Sequence, residues 1–275
     1  MPHPRLSLIV AVYNKPLLLQ YVFAALDRQS FTEFEVIVAD DGSGPEIRGV
    51  IEEAKRAHRF PITHLWHEDR GWRKNIMLNN AIRAAQTDWM VFTDGDCLPS
   101  THFLLDHFTE RNENTMLMGR RVETSERWAR ALTIDKIRSG EFERYGLKEW
   151  MDGLRGRSLR VEDGIRIPSR LLRTILLRKV RGMLGCNFSI AKRDLEGING
   201  FDELYDGPGC GEDSDVQYRL SLNGIIGKSM RNLAIQYHVW HPRQPVSDAS
   251  WNRLQEVQRR AKAVCTNGLR HIVEQ

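Results

Sequence analysis

The stretch Val91-Phe-Thr-Asp-Gly-Asp-Cys-Leu-Pro99 decides how this chain is read. A short apolar run that begins at Trp89 stops abruptly at two aspartates one residue apart. Apolar runs of strand length that end in turn residues mark buried strands. Asp-Gly alone would supply the turn. The second aspartate is surplus to that need, and carboxylates gathered at one strand end repel each other unless a cation compensates them. Hard oxygen ligands in a partly open arrangement suit Mg2+ or Mn2+. Asp94 and Asp96 are therefore the candidate cation ligands, and Gly95 lets the backbone come close to whatever they hold.

Upstream of this stretch the pattern repeats. Leu6–Val12, Glu35–Ala39 and Ile62–Trp66 read as strands, and Trp89–Thr93 is the fourth. Between them lie helical signals. Pro16 suits a first helical position, and Leu17, Leu18, Tyr21, Val22, Ala25 and Leu26 follow at helical spacing. Asp40-Asp41-Gly42-Ser43-Gly44-Pro45 turns into a second helix, and Arg73–Ala85 is a third. Strands alternating with helices predict an α/β fold, a mostly parallel central sheet flanked by helices in a single domain. Right-handed crossovers put the loops after the strands along one edge, where ligands of such sheets bind. Tyr13, Asn14, Asp40, Asp41, Asp94 and Asp96 should line that crevice.

The second half is less regular. Met116–Val122 reads as a strand, Glu126–Glu143 as a helix, and Gly185–Ala191, Ile225–Met230 and Leu233–Tyr237 as strands. Ser247-Asp248 can cap a closing helix with Trp251, Leu254, Val257, Ala261 and Val264 facing inward and Asn267-Gly268 as its stop.

Several constellations carry chemistry. One of Asp40 and Asp41 can close an Asx-turn while the other accepts a hydrogen bond from a ribose hydroxyl or a base N–H. There is no GxxxxGK[ST] and no GxGxxG after the first strand, which excludes the P-loop and dinucleotide readings. Arg73 and Lys74 stand at a helix start, where the dipole disfavours cations, so an anion such as a diphosphate is expected beside them. Glu212 and Asp213 follow glycines at 207, 209 and 211 and open a helix. A carboxylate there can accept a proton from an attacking hydroxyl. His238 and His241 can add a nitrogen ligand to the cation, His238 being the stronger candidate.

In this order the motifs resemble the family 2 glycosyltransferases of the GT-A (Rossmann-like) fold: Tyr13-Asn14, Asp-Asp-Gly-Ser, Gly-x-Arg-Lys with Asn79, and Asp-Gly-Asp. The later Asn187-x-Ser189, Gly200-Phe-Asp, Gly-Glu-Asp-Ser-Asp and Arg219 are similar to the carboxyl half of chondroitin-polymerase-like enzymes and β-1,4-galactosyltransferases. The resemblance spans roughly residues 6–241. It implies a nucleotide-diphosphate-sugar donor, a UDP-sugar foremost, a glycan or lipid-linked acceptor in cell-surface polysaccharide synthesis, and inversion by one direct displacement. It also implies a division into a nucleotide-binding half (about 1–96), an acceptor and catalytic half (about 97–245) and a C-terminal helix (about 246–275).

By position, Ala11 and Tyr13 would flank the base, and Asp41 or Asp40 would hold uracil or ribose. Lys74 would lie near the diphosphate. Asp94 would contact ribose or metal, and Asp96 and His238 would ligate Mn2+ or Mg2+. Asp213 would be the general base and Glu212 would bind the acceptor. Pro208 and Cys210, with an extra residue, replace an aromatic often found in that glycine loop.

Composition narrows the alternatives. A hydrophobic fraction of 41% and a charged fraction of 28% describe an ordinary globule. No apolar run approaches the ~18–20 residues of a membrane span. The N-terminus leads directly into the first strand without a secretory apolar region, and four scattered cysteines make no CxxC pair, so a cytoplasmic setting is expected. A net charge of +4 is mild for a nucleic-acid binder, and no nucleic-acid partner is expected. The basic residues concentrate instead between Arg155 and Arg181, nine against two acids. There Leu171, Leu172, Ile175, Leu176 and Val180 share a helical face rimmed by Arg170, Arg173, Arg178 and Lys179. That face either packs on the core or lies on the inner face of an anionic membrane, a peripheral contact through 153–181. Two other functions compete. A sugar-1-phosphate nucleotidyltransferase lacks its Gly-rich basic loop here, and a non-catalytic carbohydrate- or membrane-binding module would be expected to lose Asp96 or Asp213.

Overall fold

A computed structural model describes residues 3–176, 181–207, 211–242 and 248–272. The elements run β1 (Leu6–Val12), α1 (Pro16–Leu26), β2 (Phe34–Asp40), α2 (Pro45–Ala57), β3 (Ile62–Trp66), α3 (Lys74–Ala84), β4 (Trp89–Asp94), β5 (Cys97–Pro99), α4 (Phe103–Glu110), β6 (Thr115–Met118) and β7 (Arg121–Glu123). Then come α5 (Glu126–Ala131), α6 (Ile134–Ser139), α7 (Leu147–Leu154), α8 (Arg170–Leu176), β8 (Phe188–Ala191), α9 (Lys192–Gly197), α10 (Glu212–Leu222), β9 (Ile226–Ser229), β10 (Gln236–His238) and α11 (Asp248–Arg260).

The large sheet has the order β3-β2-β1-β4-β8-β6-β9. The first four neighbours pair in parallel, and β8 joins antiparallel to β4 and β6. Every residue of β1 and β2 is buried, as expected where helices cover both faces. Leu8, Val10 and Val36 pack with Leu19 and Phe23 of α1 and Ile47 and Ile51 of α2. On the opposite face Ile9, Ile37 and Phe92 pack with Met77 and Ile82 of α3 and Val216 and Leu220 of α10.

A second, small sheet of order β5-β10-β7 stands beside it. Its strands are three residues long, and its core of Leu98, Val122, Trp128 and Tyr237 reaches Tyr21 and Ala25 of α1. α1 is thus squeezed between two cores, which is why seven of its eleven residues are buried. The register of β10 puts His238 opposite Cys97 on one side and Glu123 on the other.

Several expectations for the second half are corrected. Met116–Val122 is two strands in different sheets. The chain leaves the large sheet at Gly119, where a Cβ would meet Asn187 Oδ1 at 2.0 Å. Glu126–Glu143 breaks into pieces: Leu132 is extended, Thr133 accepts the Lys136 N–H to cap α6, and Gly140 ends it at φ 77°. α11 buries Leu254 and Val257 but leaves Trp251 and Val264 exposed, and Ala261, at φ 50°, has already left the helix. Ser247, Pro208 and Cys210 lie outside the described residues.

The apolar face of the basic segment is not on the core. Leu171, Leu172 and Ile175 are 71%, 50% and 55% exposed. Arg173 takes the inward position, its guanidinium 2.8 Å from Glu110 Oε1 and bonded to the carbonyls of Ile167 and Pro168. Arg178, Lys179 and Val180 lie outside the described residues.

Candidate active site

The register of the large sheet aligns the ends of three strands: Val12 faces Asp40, and Ala11 faces Asp94. Asp40 is the turn-forming aspartate. Its Oδ1 accepts the Ser43 N–H at 2.8 Å, its Oδ2 pairs with His64 at 2.9 Å, and it is buried. Asp41 accepts the Arg73 backbone N–H at 3.0 Å and pairs with His67 at 2.8 Å. Burial raises its pKa against the opposing pull of Arg73 and His67. Asn14, at φ 49°, latches the first two loops together through the Gly44 N–H at 2.9 Å. Tyr13 is 44% exposed and donates its hydroxyl to Asp69 at 2.9 Å. The Ala11 carbonyl accepts the Gly95 N–H at 2.7 Å, and a Cβ on Gly95 would press on Val12 at 3.1 Å.

Of the two helix-start cations, only Lys74 joins this edge. Its ammonium donates to Asp94 Oδ1 at 3.0 Å. Burial alone would lower its pKa, but the charges of Asp94 and Glu212 outweigh that and raise it. The Arg73 guanidinium folds back onto the Glu68 carbonyl instead. Asn79 lies outside the crevice. It is fully buried, and its amide clamps the Phe201 carbonyl and Glu203 while its oxygen accepts the Phe201 N–H. Its work is to fix the loop that leads toward α10.

The twin aspartates do not converge on one point. Asp94 turns to Lys74, whereas Asp96 joins His238 and His241. Ligand atoms of these last three all lie within 4.8 Å of one another. His238 Nδ1 is 2.8 Å from Glu123 Oε2, so that nitrogen carries the proton and Nε2 presents its lone pair toward Asp96 at 3.7 Å. A carboxylate behind a histidine is the usual way to orient a metal ligand. Although burial opposes it, the His238 bond and the charge of Arg121 hold the Glu123 carboxyl down at about 2. His241 Nδ1 lies 2.9 Å from the Pro242 carbonyl and its Nε2 lies 3.2 Å from Asp96 Oδ2, a bond that raises the imidazole's pKa. Lys15 Nζ sits where these groups meet, 2.7 Å from Asp96 Oδ2 and 2.9 Å from His241 Nε2. Against burial, His241, His238 and Lys15 hold the Asp96 carboxyl well below the usual range. With both imidazoles neutral, this carboxylate and the two Nε2 atoms are close enough together to fit a divalent ion. A second cluster, Asp94, Cys97 and Cys186, fits less well, because burial raises the Cys97 thiol's pKa and keeps it protonated and Arg121 already lies 3.3 Å from Cys186 Sγ. Sequence reasoning missed Glu123 and Lys15; Glu123 is brought to His238 only by β7–β10 pairing.

α10 brings the last pair. Asp213 Oδ2 accepts the Gly185 N–H at 3.1 Å and Oδ1 accepts the Ser214 N–H at 2.7 Å. Glu212 is half-buried with a shielded, unpartnered Oε2. Its pKa is pushed up to about 7, chiefly by burial, with Asp213 adding and Lys74 opposing. Asp215 and Arg219, one turn further on, do something different. They form a buried ion pair at 2.9 Å, and Arg219 also holds the Ile198 and Gly200 carbonyls. This anchor fixes the angle at which Glu212 and Asp213 enter the crevice.

A mostly parallel sheet with an acidic crevice at its strand ends is the architecture of the GT-A glycosyltransferases. The computed structure overlays a mannosyltransferase from Pyrobaculum calidifontis in complex with GDP-Man and Mn2+ at a TM-score of 0.58, with 15% identity over 94% of this chain and 70% of that one. It overlays S. aureus TarS 1-349 in complex with UDP at 0.61, with 17% identity over 94% and 65%. Residues 7–162 match the model of glycosyl transferase family 2, and residues 177–242 match that of the N-terminal domain of galactosyltransferase. The chain belongs to glycosyl transferase family 2. It is 25% identical to a chondroitin synthase of Escherichia coli over 85% of its own length and 34% of the relative's. It is 26% identical to a validoxylamine A glucosyltransferase of Streptomyces hygroscopicus over 81% and 52%. The chain therefore spans about a third to a half of these relatives.

Proposed function

We propose that this enzyme transfers a sugar, with inversion, from a nucleotide-diphosphate donor, a UDP-sugar foremost, to a hydroxyl of a glycan or lipid-linked acceptor in cell-surface polysaccharide synthesis. The reaction belongs to the cytoplasm, with a lipid-linked acceptor met at the inner face of a membrane. The half formed by residues 1–96 takes the donor: Ala11 and Tyr13 flank the base, Asp41 accepts from uracil or ribose, and Lys74 faces the diphosphate with Asp94 beside it. The observation that carries this reading is the meeting, at the ends of β1, β2 and β4, of the Lys74–Asp94 pair, the Asp96–His238–His241 cluster and the Glu212–Asp213 pair. Asp96, His238 and His241 would hold a divalent ion, Mn2+ in preference to Mg2+ because two donors are imidazoles. Such an ion supplies positive charge against the diphosphate as the sugar leaves it. Asp213 takes the proton of the attacking hydroxyl and Glu212 holds that hydroxyl in line. Lys74 remains charged beside the departing diphosphate.

The test is calorimetric titration of UDP- and GDP-linked sugars with Mn2+ supplied or chelated, alongside release of nucleoside diphosphate. Asp96→Ala is expected to lose Mn2+-dependent donor binding and transfer. Asp213→Asn should keep donor affinity within about twofold while transfer falls about 10²–10⁴-fold, the span of a general base. Wild-type transfer in either variant overturns the role.

A further inference from the structure

Seven of the seventeen large apolar side chains exposed among the described residues fall between Leu147 and Ile175, about a tenth of the chain. Leu154 is 84% exposed and Leu147 80%, so these are whole side chains in water and not the edges of core residues. Concentrations of this kind mark interaction surfaces.

The charges of the same segment are sorted. Its four acids are all matched: Asp152 is buried on Ser125 and Arg127 and Asp163 against Arg231, while Glu149 pairs with Arg127 and the exposed Glu162 with Arg231. Two of its arginines are spent on neighbours, Arg166 on Asp106 and Arg173 on Glu110. Lys148, Arg155, Arg157, Arg160 and Arg170 remain exposed beside the leucines. The outer face is therefore apolar and positive at once. α8 shows how it is held in place. The Arg173 tether rotates the helix so that Leu171, Leu172 and Ile175 look outward, the reverse of an ordinary surface helix.

We infer that the 147–175 face docks on an anionic lipid bilayer. Apolar side chains enter the headgroup boundary while the arginines around them meet lipid phosphates. Exposed arginines interleaved with whole apolar side chains match the phosphates and acyl boundary of a bilayer, whereas a protein partner would have to offer an acidic and apolar surface together. The segment is also joined to the active site. Leu159 and Glu123 exchange backbone hydrogen bonds at 3.0 Å, and Glu123 holds His238. Docking would place the site next to the surface that carries a lipid-linked acceptor, a sense that rests on the transferase reading although the docking itself does not.

Flotation with phosphatidylcholine vesicles, with and without phosphatidylglycerol, tests this on the full chain without donor or acceptor. Wild-type protein should partition roughly tenfold more strongly onto the anionic vesicles and be released as salt is raised toward about 0.5 M. The triple variant Leu171→Ser, Leu172→Ser, Ile175→Ser should lose most of that binding with an unchanged melting temperature, since these side chains are exposed. Equal binding to both vesicles, or wild-type binding by the triple variant, overturns the proposal. So does a wild-type dimer in light scattering that the triple variant abolishes while vesicles are ignored. Donor calorimetry on the same proteins separates the two readings: vesicle binding without any nucleotide-sugar binding sinks the transferase assignment alone.

Discussion

The two walls of the crevice are built in different ways. The wall carrying Asp41, Lys74 and Asp94 comes from the ends of parallel strands β2 and β4 and the start of α3 between them. The wall carrying Asp96, His238, His241 and Glu123 joins β5 and β7 to a strand more than a hundred residues further along the chain, all three strands being only three residues long. In the first wall Asp41 and Asp94 stand at or just past strand ends and Lys74 opens the helix between them, so neighbours in the chain place each side chain. In the second each is positioned by a partner: His238 by Glu123, His241 by Pro242, and α10 by the Arg219–Asp215 pair. Damage to a partner should therefore be felt widely in the second wall and hardly at all in the first.

The largest effect is expected from Arg219→Met. It leaves Asp215 buried without its counter-charge and frees two carbonyls, and it should cost about 3–5 kcal/mol in urea unfolding. A loss under about 1 kcal/mol would mean that the pair is dispensable and that α10 is held otherwise. Next comes Glu123→Ala, which removes the group that fixes the His238 tautomer. Mn2+ affinity should fall about 10–100-fold by calorimetry. Metal-free nucleotide binding, assigned above to the other wall, should change less than about twofold.

Glu212→Gln probes the cost of keeping a carboxyl in place. The pKa of Glu212 rises from 4.5 to about 7 on folding. Between those values the folded chain binds a proton that the unfolded chain has released, so this group's contribution to stability falls as pH rises through that window. Glutamine removes the slope. The variant should be more stable than wild type at pH 8 by on the order of 1–2 kcal/mol while transfer drops. A stability difference that does not change between pH 5 and pH 8 would contradict this assignment. The smallest effect concerns Lys15, whose ammonium shares its acceptors with any divalent ion. Lys15→Met should tighten Mn2+ binding about tenfold in the absence of donor, roughly 1.4 kcal/mol. Weaker binding would show that Lys15 organises the ligands and does not compete for them.

The first wall was legible because parallel strands buried on both faces leave continuous apolar runs, and because Pro16 and Pro45 mark helix starts. Leu6–Val12 and Ile62–Trp66 are matched to the residue, and the other two strands to within one residue at either end. The second wall was not legible because three-residue strands have no measurable period. The motif Gly-Glu-Asp-Ser-Asp with Arg219 looked like one functional run. Only the packing separates Glu212, whose charge reaches Lys74, and Asp213, bonded to the Gly185 N–H, from Asp215 and Arg219, which hold the helix.

Taken alone, then, the chain's sequence determined the parallel sheet, the edge along which the strand-end loops gather, and the residue types placed there. These follow from short-range periodicity and from carboxylates placed where strands end. The tertiary structure decided which aspartate meets the histidines, which of Asp40 and Asp41 is spent on its turn, and which way α8 faces. A helical period has the same form whether its apolar face looks inward or outward. The choice was made by one arginine reaching Glu110, some sixty residues earlier in the chain.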